Sequence, residues 1–181
     1  MKGIVFTEFL EMVEDRFGLP TLDRIIGQAH LANDGAYTSV GTYDHQELVQ
    51  LVVALSEATR VAVPDLIKVF GEHLFGRFTQ AYPRLFEGVD STFAFLRSIE
   101  HYIHVEVRKL YPDAELPSFT YESQGPDQLV MLYQSRRPFA DLAEGLILGC
   151  IAHYGEAIDL QREDLETGAT NRSRFTLIRR S

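Results

Sequence analysis

Hydrophobic residues in the first half of the chain recur every three or four positions, which is the spacing of amphipathic helices. The first such stretch runs from about Lys2 to Phe17. Similar stretches follow at 21–31, 45–59, 64–82 and 91–110, with a loop predicted between the second and third. This half is therefore predicted to be mainly helical.

The stretch 91–110 is the most informative of these helices. Ser91 is a suitable N-cap and Pro112 follows the predicted end. Its apolar stripe consists of Leu96, Ile99, Ile103, Val107 and Leu110. At about 100° per residue, His104 falls at the border of this stripe and His101 falls near the opposite side. We therefore expect His104 to face inward and His101 to face solvent.

After Pro117 the hydrophobic period changes from that of a helix to that of a strand. Strands are predicted at 118–123 and 128–134, with a Gly-Pro turn between them. A helix over 140–158 and a last strand over 174–180 follow. The pattern predicts an α+β fold with a mainly helical N-terminal half, and a C-terminal half of a small antiparallel sheet plus helices. One domain over 1–181 is the simplest organisation.

Composition narrows the class of protein. A net charge of −9 and a pI near 5.1 argue against nucleic acid or an anionic membrane as the main partner. No apolar run reaches about 18 residues, and the N-terminus alternates carboxylates with hydrophobic residues, unlike a signal peptide. We expect a cytoplasmic protein with no membrane association.

Cysteine usage limits the cofactor chemistry. Cys150 is the one cysteine, so an internal disulfide is excluded. The motif Cys-x-x-Cys-His, which attaches haem covalently, is absent. Cys150 itself lies in an apolar run and is expected to be a small buried residue.

Candidate polar groups lie at the end of the second predicted strand. Alternation along a strand places Tyr133, Ser135 and Arg137 on one face, as two hydroxyls and a guanidinium. Such a set can bind paired carboxylates or a phosphate. A solvated polar strand face would have the same pattern, and His104 alone is typical of a hydrogen-bonded core residue.

Together these features are more specific. His104 is followed by V-x-V-x-x-x-Y-P-x-A-x-x-P-x-F and then by Y-x-S-x-R. This pattern resembles the haem nitric oxide/oxygen-binding (H-NOX) family, which is related to the haem domain of soluble guanylate cyclase. The resemblance extends over nearly the whole chain. It implies a fold that encloses non-covalently bound haem b, with His104 as the iron ligand. It also implies that Tyr133, Ser135 and Arg137 hold the propionates and that Pro117 presses on the porphyrin and distorts it.

The resemblance further implies which residues cover the other face of the haem. These are Val5, Phe9, Leu74, Phe78, Leu142 and Leu146. Family members that bind oxygen stably have a tyrosine at the position of Leu142, and its hydroxyl donates to the bound oxygen. Loss of that hydrogen bond should lower the affinity for oxygen by about tenfold or more. The expected function is a sensor of nitric oxide, which also binds carbon monoxide and has low oxygen affinity.

The resemblance also implies how the signal leaves the haem. Nitric oxide should break the bond between iron and His104, and the first helix should then shift. No kinase, cyclase or phosphodiesterase motif is present in the sequence. The expected output is therefore a separate protein, either a histidine kinase or an enzyme that makes or degrades cyclic di-GMP.

Other functions remain possible from the residues alone. An oxygen-binding haem sensor is the main alternative. A zinc hydrolase could use Glu100, His101 and His104, but zinc-binding histidine pairs on helices are spaced i and i+4, not i and i+3. A haem oxygenase or peroxidase would need a distal acid or base that is not evident. A haem-free interaction domain would leave the Tyr-x-Ser-x-Arg face empty.

Overall fold

A computed structural model describes residues 1–180, and it confirms the predicted α+β fold. Ser181, the last residue of the predicted domain, lies outside the described residues. Within residues 1–180 the helices are α1 (Gly3–Phe17), α2 (Leu19–Gln28), α3 (His45–Thr59), α4 (Val63–Ala81), α5 (Thr92–Arg97), α6 (His104–Leu110) and α7 (Ala140–Tyr154). The strands are β1 (Ser118–Gln124), β2 (Gln128–Ser135), β3 (Ile158–Glu166) and β4 (Asn171–Arg179).

Helices α1 to α4 form the N-terminal half around a core of their apolar faces. Local signals start two of these helices. Asp44 caps α3 by accepting a hydrogen bond from the Gln46 amide at 3.0 Å, and Pro64 lies in the first turn of α4. The core residues Phe6, Phe9, Met12, Leu51, Leu55, Leu66 and Phe70 are almost completely buried.

The predicted helix over 91–110 is helical along its length but is not α-helical throughout. Ser91 does cap its start, with its hydroxyl accepting from the Ala94 amide at 3.4 Å. After α5 the chain forms a π turn over Ile99–Ile103, in which the Ile103 amide donates to the Ser98 carbonyl at 3.2 Å. Such a turn holds one residue more than an α turn, and periodicity alone does not reveal it. Helix α6 continues directly from this π turn at His104.

The sheet has the strand order β1-β2-β4-β3, and every pairing is antiparallel. Its inner face packs on α5 and α7 and forms a second core. The buried residues of this face are Phe119, Leu129, Met131, Tyr133, Phe175 and Leu177. Alternation along β2 and β4 is clear, as the sequence pattern predicts.

Strand β3 was not predicted, and the helix expected to reach residue 158 ends at Tyr154. Gly155 adopts a positive φ of 64° and ends α7. Strand β3 lies at the sheet edge and carries many charged residues, so its sequence has low strand propensity. Pairing with β4 and ion pairs of Arg162 with Asp141 and Glu144 hold it in place.

Helices α4 and α7 join the two halves at close range. A Cβ atom on Gly145 would lie 2.2 Å from the Lys68 carbonyl oxygen, and one on Gly71 would lie 2.6 Å from the Leu142 carbonyl oxygen. Glycine at these positions lets the two backbones touch. Within residues 1–180, no helix is both long and apolar enough to cross a membrane.

Candidate functional site

A cavity of about 340 Å³ lies between the two cores. Its walls come from the start of α1, the second half of α4, α5 to α6, the segment 111–117, the end of β2 and the start of α7. Most of this wall is apolar, while Ser135, Arg137, Thr42 and Asp113 are among the polar residues that line it. A largely apolar cavity with a small set of polar groups is typical of a cofactor site.

His104 lines this cavity and is 7% exposed, whereas His101 is exposed, so both predicted orientations are confirmed. Burial lowers the pKa of the His104 imidazole; Glu100 opposes this shift and Arg108 adds to it. The imidazole is therefore neutral at pH 7, and a neutral ring nitrogen is the form that binds a metal.

Glu100 connects His104 to the sheet. One of its carboxylate oxygens, Oε1, accepts a hydrogen bond from the Phe119 amide at 2.7 Å, at the start of β1. The same oxygen lies 3.2 Å from Nδ1 of His104, although not in hydrogen-bond geometry. The Phe119 ring lies 6.1 Å from the His104 ring. Glu100 is thus placed to orient the imidazole from behind, as outer carboxylates do for metal-binding histidines.

Tyr133, Ser135 and Arg137 all line the cavity. Burial raises the pKa of the Tyr133 phenol, so it stays a neutral donor. Strand β2 ends at Ser135, and Arg137 follows in a turn where its amide donates to the Ser135 hydroxyl at 3.0 Å. The three side chains therefore reach the same cavity from a strand and a side-chain turn, not from a strand alone.

The segment 111–117 crosses from α6 to β1 and lines the cavity with Pro117, Leu116 and Glu115. The Glu115 carboxylate accepts from Nη2 of Arg137 at 2.5 Å. Asp113 in the same segment accepts from the Thr42 hydroxyl at 2.7 Å and from the Lys2 ammonium at 3.1 Å. These contacts tie the segment both to the N-terminus and to Arg137.

Five of the six residues expected opposite His104 line the cavity: Val5, Leu74, Phe78, Leu142 and Leu146. The sixth, Phe9, is completely buried and is not among the lining residues. Its ring meets Phe70 edge to face, with centroids 5.2 Å apart, inside the helical core. Phe9 lies one turn after Val5 on the same face of α1, but beyond the end of the cavity, where this face packs in the helical core.

Sequence reasoning missed three polar contacts of the site. Glu100 could have been found, since it is four residues before His104 on the same helical stretch. The Glu115–Arg137 pair and the hydrogen bond between the Tyr82 and Tyr111 hydroxyls, 3.0 Å apart, join residues far apart in sequence. No local pattern indicates such pairs.

The family of the chain follows from its sequence and fold together. The model of the Haem-NO-binding family matches residues 2–162. The chain belongs to this family, whose members are haem-binding gas sensor domains. No curated protein matches the sequence.

Solved structures agree over the full fold. The chain is 40% identical to the H-NOX protein of K. algicida in its Fe(II) unliganded state, with a TM-score of 0.94, covering 100% of this chain and 97% of that one. It is 42% identical to the H-NOX of Shewanella woodyi in the Fe(II)CO state, with a TM-score of 0.84 and coverage of 99% and 95%. It is 25% identical to the S. oneidensis H-NOX in the Fe(II)NO state, with a TM-score of 0.90 and full coverage of both chains.

The residues present fit a haem. The cavity offers a buried neutral imidazole, a wide apolar wall and a guanidinium with two hydroxyls. A zinc site fits poorly, because His101 and His104 face different ways. Within residues 1–180, no group of three or more His, Cys, Asp or Glu side chains is arranged to hold a metal ion.

Proposed function

We propose that the chain is one sensor domain over residues 1–181 that detects nitric oxide through non-covalently bound haem b. The observation that carries this proposal is the cavity itself. It joins the neutral His104 imidazole to the Tyr133, Ser135 and Arg137 cluster within one apolar enclosure. Membership of the Haem-NO-binding family supports haem as the cofactor. The choice of gas is supported by one relative solved with carbon monoxide and another solved with nitric oxide.

His104 is the proposed iron ligand, with Glu100 orienting its ring. Arg137 offers a fork of donors to a propionate, while the neutral hydroxyls of Tyr133 and Ser135 add hydrogen bonds. Pro117 is the residue proposed to press on the porphyrin. Cys150 takes no part, because burial raises the pKa of its thiol and keeps it protonated.

Selectivity for nitric oxide is proposed to come from the apolar wall. Leu142 and Leu74 line the cavity and carry no hydrogen-bond donor. If haem is held in this cavity, a hydrogen-bond donor in the wall would favour the binding of oxygen, whereas the binding of nitric oxide would not require one. Carbon monoxide, which is neutral and apolar, should also bind.

The signal is proposed to pass through His104 and α1. A haem bound in this cavity would supply a ferrous iron held by His104 and open to nitric oxide. Release of His104 would remove a restraint at the start of α6, and the segment 111–117 would then move with Pro117. Val5 at the cavity wall lets α1 respond, and α1 is the element that we propose to shift.

The output is proposed to be a separate partner, either a histidine kinase or an enzyme that makes or degrades cyclic di-GMP. The chain itself is proposed to have no catalytic activity. To shift the populations of two conformations from 1:99 to 99:1, a ligand must bind one conformation more tightly than the other by about 5.5 kcal/mol. A lost metal bond together with relief of haem strain can supply a difference of this size.

Absorption spectra test the proposal. The reduced, haem-loaded protein should change its spectrum with nitric oxide and with carbon monoxide but not in air. His104→Ala should alter the spectrum of the reduced protein, while His101→Ala, a histidine removal three residues away on the exposed side, should not. A change of spectrum in air that reverses when oxygen is removed would contradict the selectivity, and failure to take up haem would contradict the function.

A further inference from the structure

The Glu115–Arg137 contact has the same chemistry as the contact proposed for the cofactor. Glu115 presents a carboxylate to Nη2 of Arg137 at 2.5 Å. A haem propionate is also a carboxylate, and it would be held by the same guanidinium. The protein therefore carries its own anion at the place where the cofactor's anion is expected.

The two partners of this ion pair differ in their surroundings. The Arg137 side chain is 17% exposed and lines the cavity, while the Glu115 side chain is 72% exposed. The carboxylate thus reaches the guanidinium from the solvent side. An ion pair with one partner so exposed is weak, because water solvates the carboxylate well when it leaves. A propionate can displace Glu115, but the displacement reduces the gain in binding.

We propose that Glu115 is a residue that tunes cofactor affinity by competing with a haem propionate for Arg137. The inference rests on the proposed haem function and concerns the same cavity. Glu115 thereby lowers the affinity that Tyr133, Ser135 and Arg137 would give without it. The competition also makes haem affinity depend on the charge of the propionates, because an uncharged side chain of the porphyrin cannot displace the Glu115 carboxylate from Arg137.

The position of Glu115 adds a consequence for the segment 111–117. Glu115 lies two residues before Pro117, and Asp113 anchors the other part of the segment to Lys2 and Thr42. When a propionate takes Arg137, the segment loses its contact at Glu115 and keeps the one at Asp113. Propionate binding therefore loosens the segment next to Pro117 while its N-terminal anchor holds.

The test is the haem affinity of Glu115→Gln, measured from the rates of haem uptake and of haem transfer to excess apomyoglobin. Affinity should rise about two- to fivefold, the range that an exposed ion pair supports. The control is Asp113→Asn, which removes one negative charge two residues from Glu115. The Asp113 carboxylate is bonded to Lys2 and Thr42 and not to Arg137, so this variant should not raise the haem affinity. An equal rise in that control would assign the effect to general charge and overturn the proposal.

Two further measurements isolate the competition. With haem dimethyl ester, whose propionates are uncharged, Glu115→Gln should have no effect. In an Arg137→Gln background the same substitution should also have no effect, because the contested guanidinium is gone. Persistence of the effect in either case, or weaker haem binding by Glu115→Gln itself, overturns the proposal. If the wild-type protein takes up no haem, the proposed function fails; if it binds haem and Glu115→Gln is unchanged, only this inference fails.

Discussion

The proposed selectivity between gases rests on single residues of the cavity wall. Leu142 and Leu74 lie on its wall, and each has a side chain without a donor. The cost of a missing donor depends on the charge of the acceptor, since hydrogen bonds to charged groups are worth about 1.5–3 kcal/mol and neutral ones about 1 kcal/mol. The proposed gas selectivity therefore depends on one or two side chains and not on the fold.

Replacing Leu142 with tyrosine should raise the oxygen affinity of the reduced, haem-loaded protein. The expected rise is about tenfold or more, because a hydroxyl would enter the apolar wall and donate to bound oxygen. Oxygen titration followed by absorption measures it. Leu142→Phe is the matched control, since it adds the ring without the hydroxyl. An equal rise in both variants would mean that ring size, not hydrogen bonding, controls oxygen.

At the scale of elements, the contact between α4 and α7 positions two walls of the cavity. Gly71 and Gly145 face each other's helices at distances that no side chain tolerates. Close contact of two backbones requires glycine on both sides, although glycine costs about 0.5–1 kcal/mol in a helix relative to alanine. The glycines are thus explained by packing and not by helix propensity.

Gly145→Ala should destabilise the protein by about 1–3 kcal/mol, because its Cβ would lie 2.2 Å from the Lys68 carbonyl oxygen and must push α4 away. Urea unfolding measures the change. Gly76→Ala on α4 is the control: a Cβ there meets nothing within 4 Å, so this variant should be as stable as the wild type or more stable. If Gly145→Ala left the free energy of unfolding unchanged, the two helices would be able to move apart without a loss of stability.

A second element-scale contact joins α5 to β4 through Glu156. Its carboxylate accepts from the Thr92 amide at 2.6 Å, at the first turn of α5, and from Nη2 of Arg179 at 2.8 Å. Although burial opposes the shift, these hydrogen bonds and the Arg179 charge lower the pKa of Glu156 below its ordinary value of 4.5. The charged form therefore stabilises the folded state at neutral pH.

Glu156→Gln should lower the free energy of unfolding by about 1–2 kcal/mol at pH 7. Since the folded pKa is lowered, this stabilisation is present above pH 4.5 and is lost as pH falls through the folded pKa. Urea unfolding of both proteins should give curves that converge in acid. The exposed Glu87, changed to Gln, serves as the control. A difference that stays constant down to low pH would contradict a role for the Glu156 charge.

For the whole molecule, acid should lower the free energy of unfolding through His73, which lies where α4 faces α1. His73 on α4 lies 3.7 Å from the Glu8 carboxylate on α1, and Arg77 donates to the same carboxylate at 2.7 Å. Burial lowers the pKa of His73; Glu8 and Asp15 oppose the shift, while Arg16 and Arg77 add to it. The folded state therefore resists a proton that the unfolded chain accepts.

Stability should fall as pH drops below the ordinary histidine pKa of 6.5, and His73→Gln should reduce this loss. The measurement is the urea midpoint at about pH 7.5 and pH 5.5. His30→Gln, at an exposed position, is the control and should leave the loss in place. An unchanged difference between the two pH values in His73→Gln would remove His73 as a cause.

Local pattern was enough for most elements and for the orientation of key side chains. Helical periodicity predicted α1 to α4. It also predicted that His104 faces inward, because an apolar stripe must face a core and His104 borders that stripe. Strand alternation grouped Tyr133 and Ser135 for the same reason. The family is indicated by the amino-acid sequence alone, through the resemblance that His104 and Y-x-S-x-R carry.

Only the tertiary structure decided the features that depend on partners distant in sequence. The π turn before His104, the charged edge strand β3 and the burial of Phe9 away from the cavity each follow from neighbours that local periodicity does not contain. The same is true of Glu115, whose partner is Arg137, 22 residues later. Residues of one element share a pattern because they share a surface, whereas contacts between elements depend on how those surfaces meet.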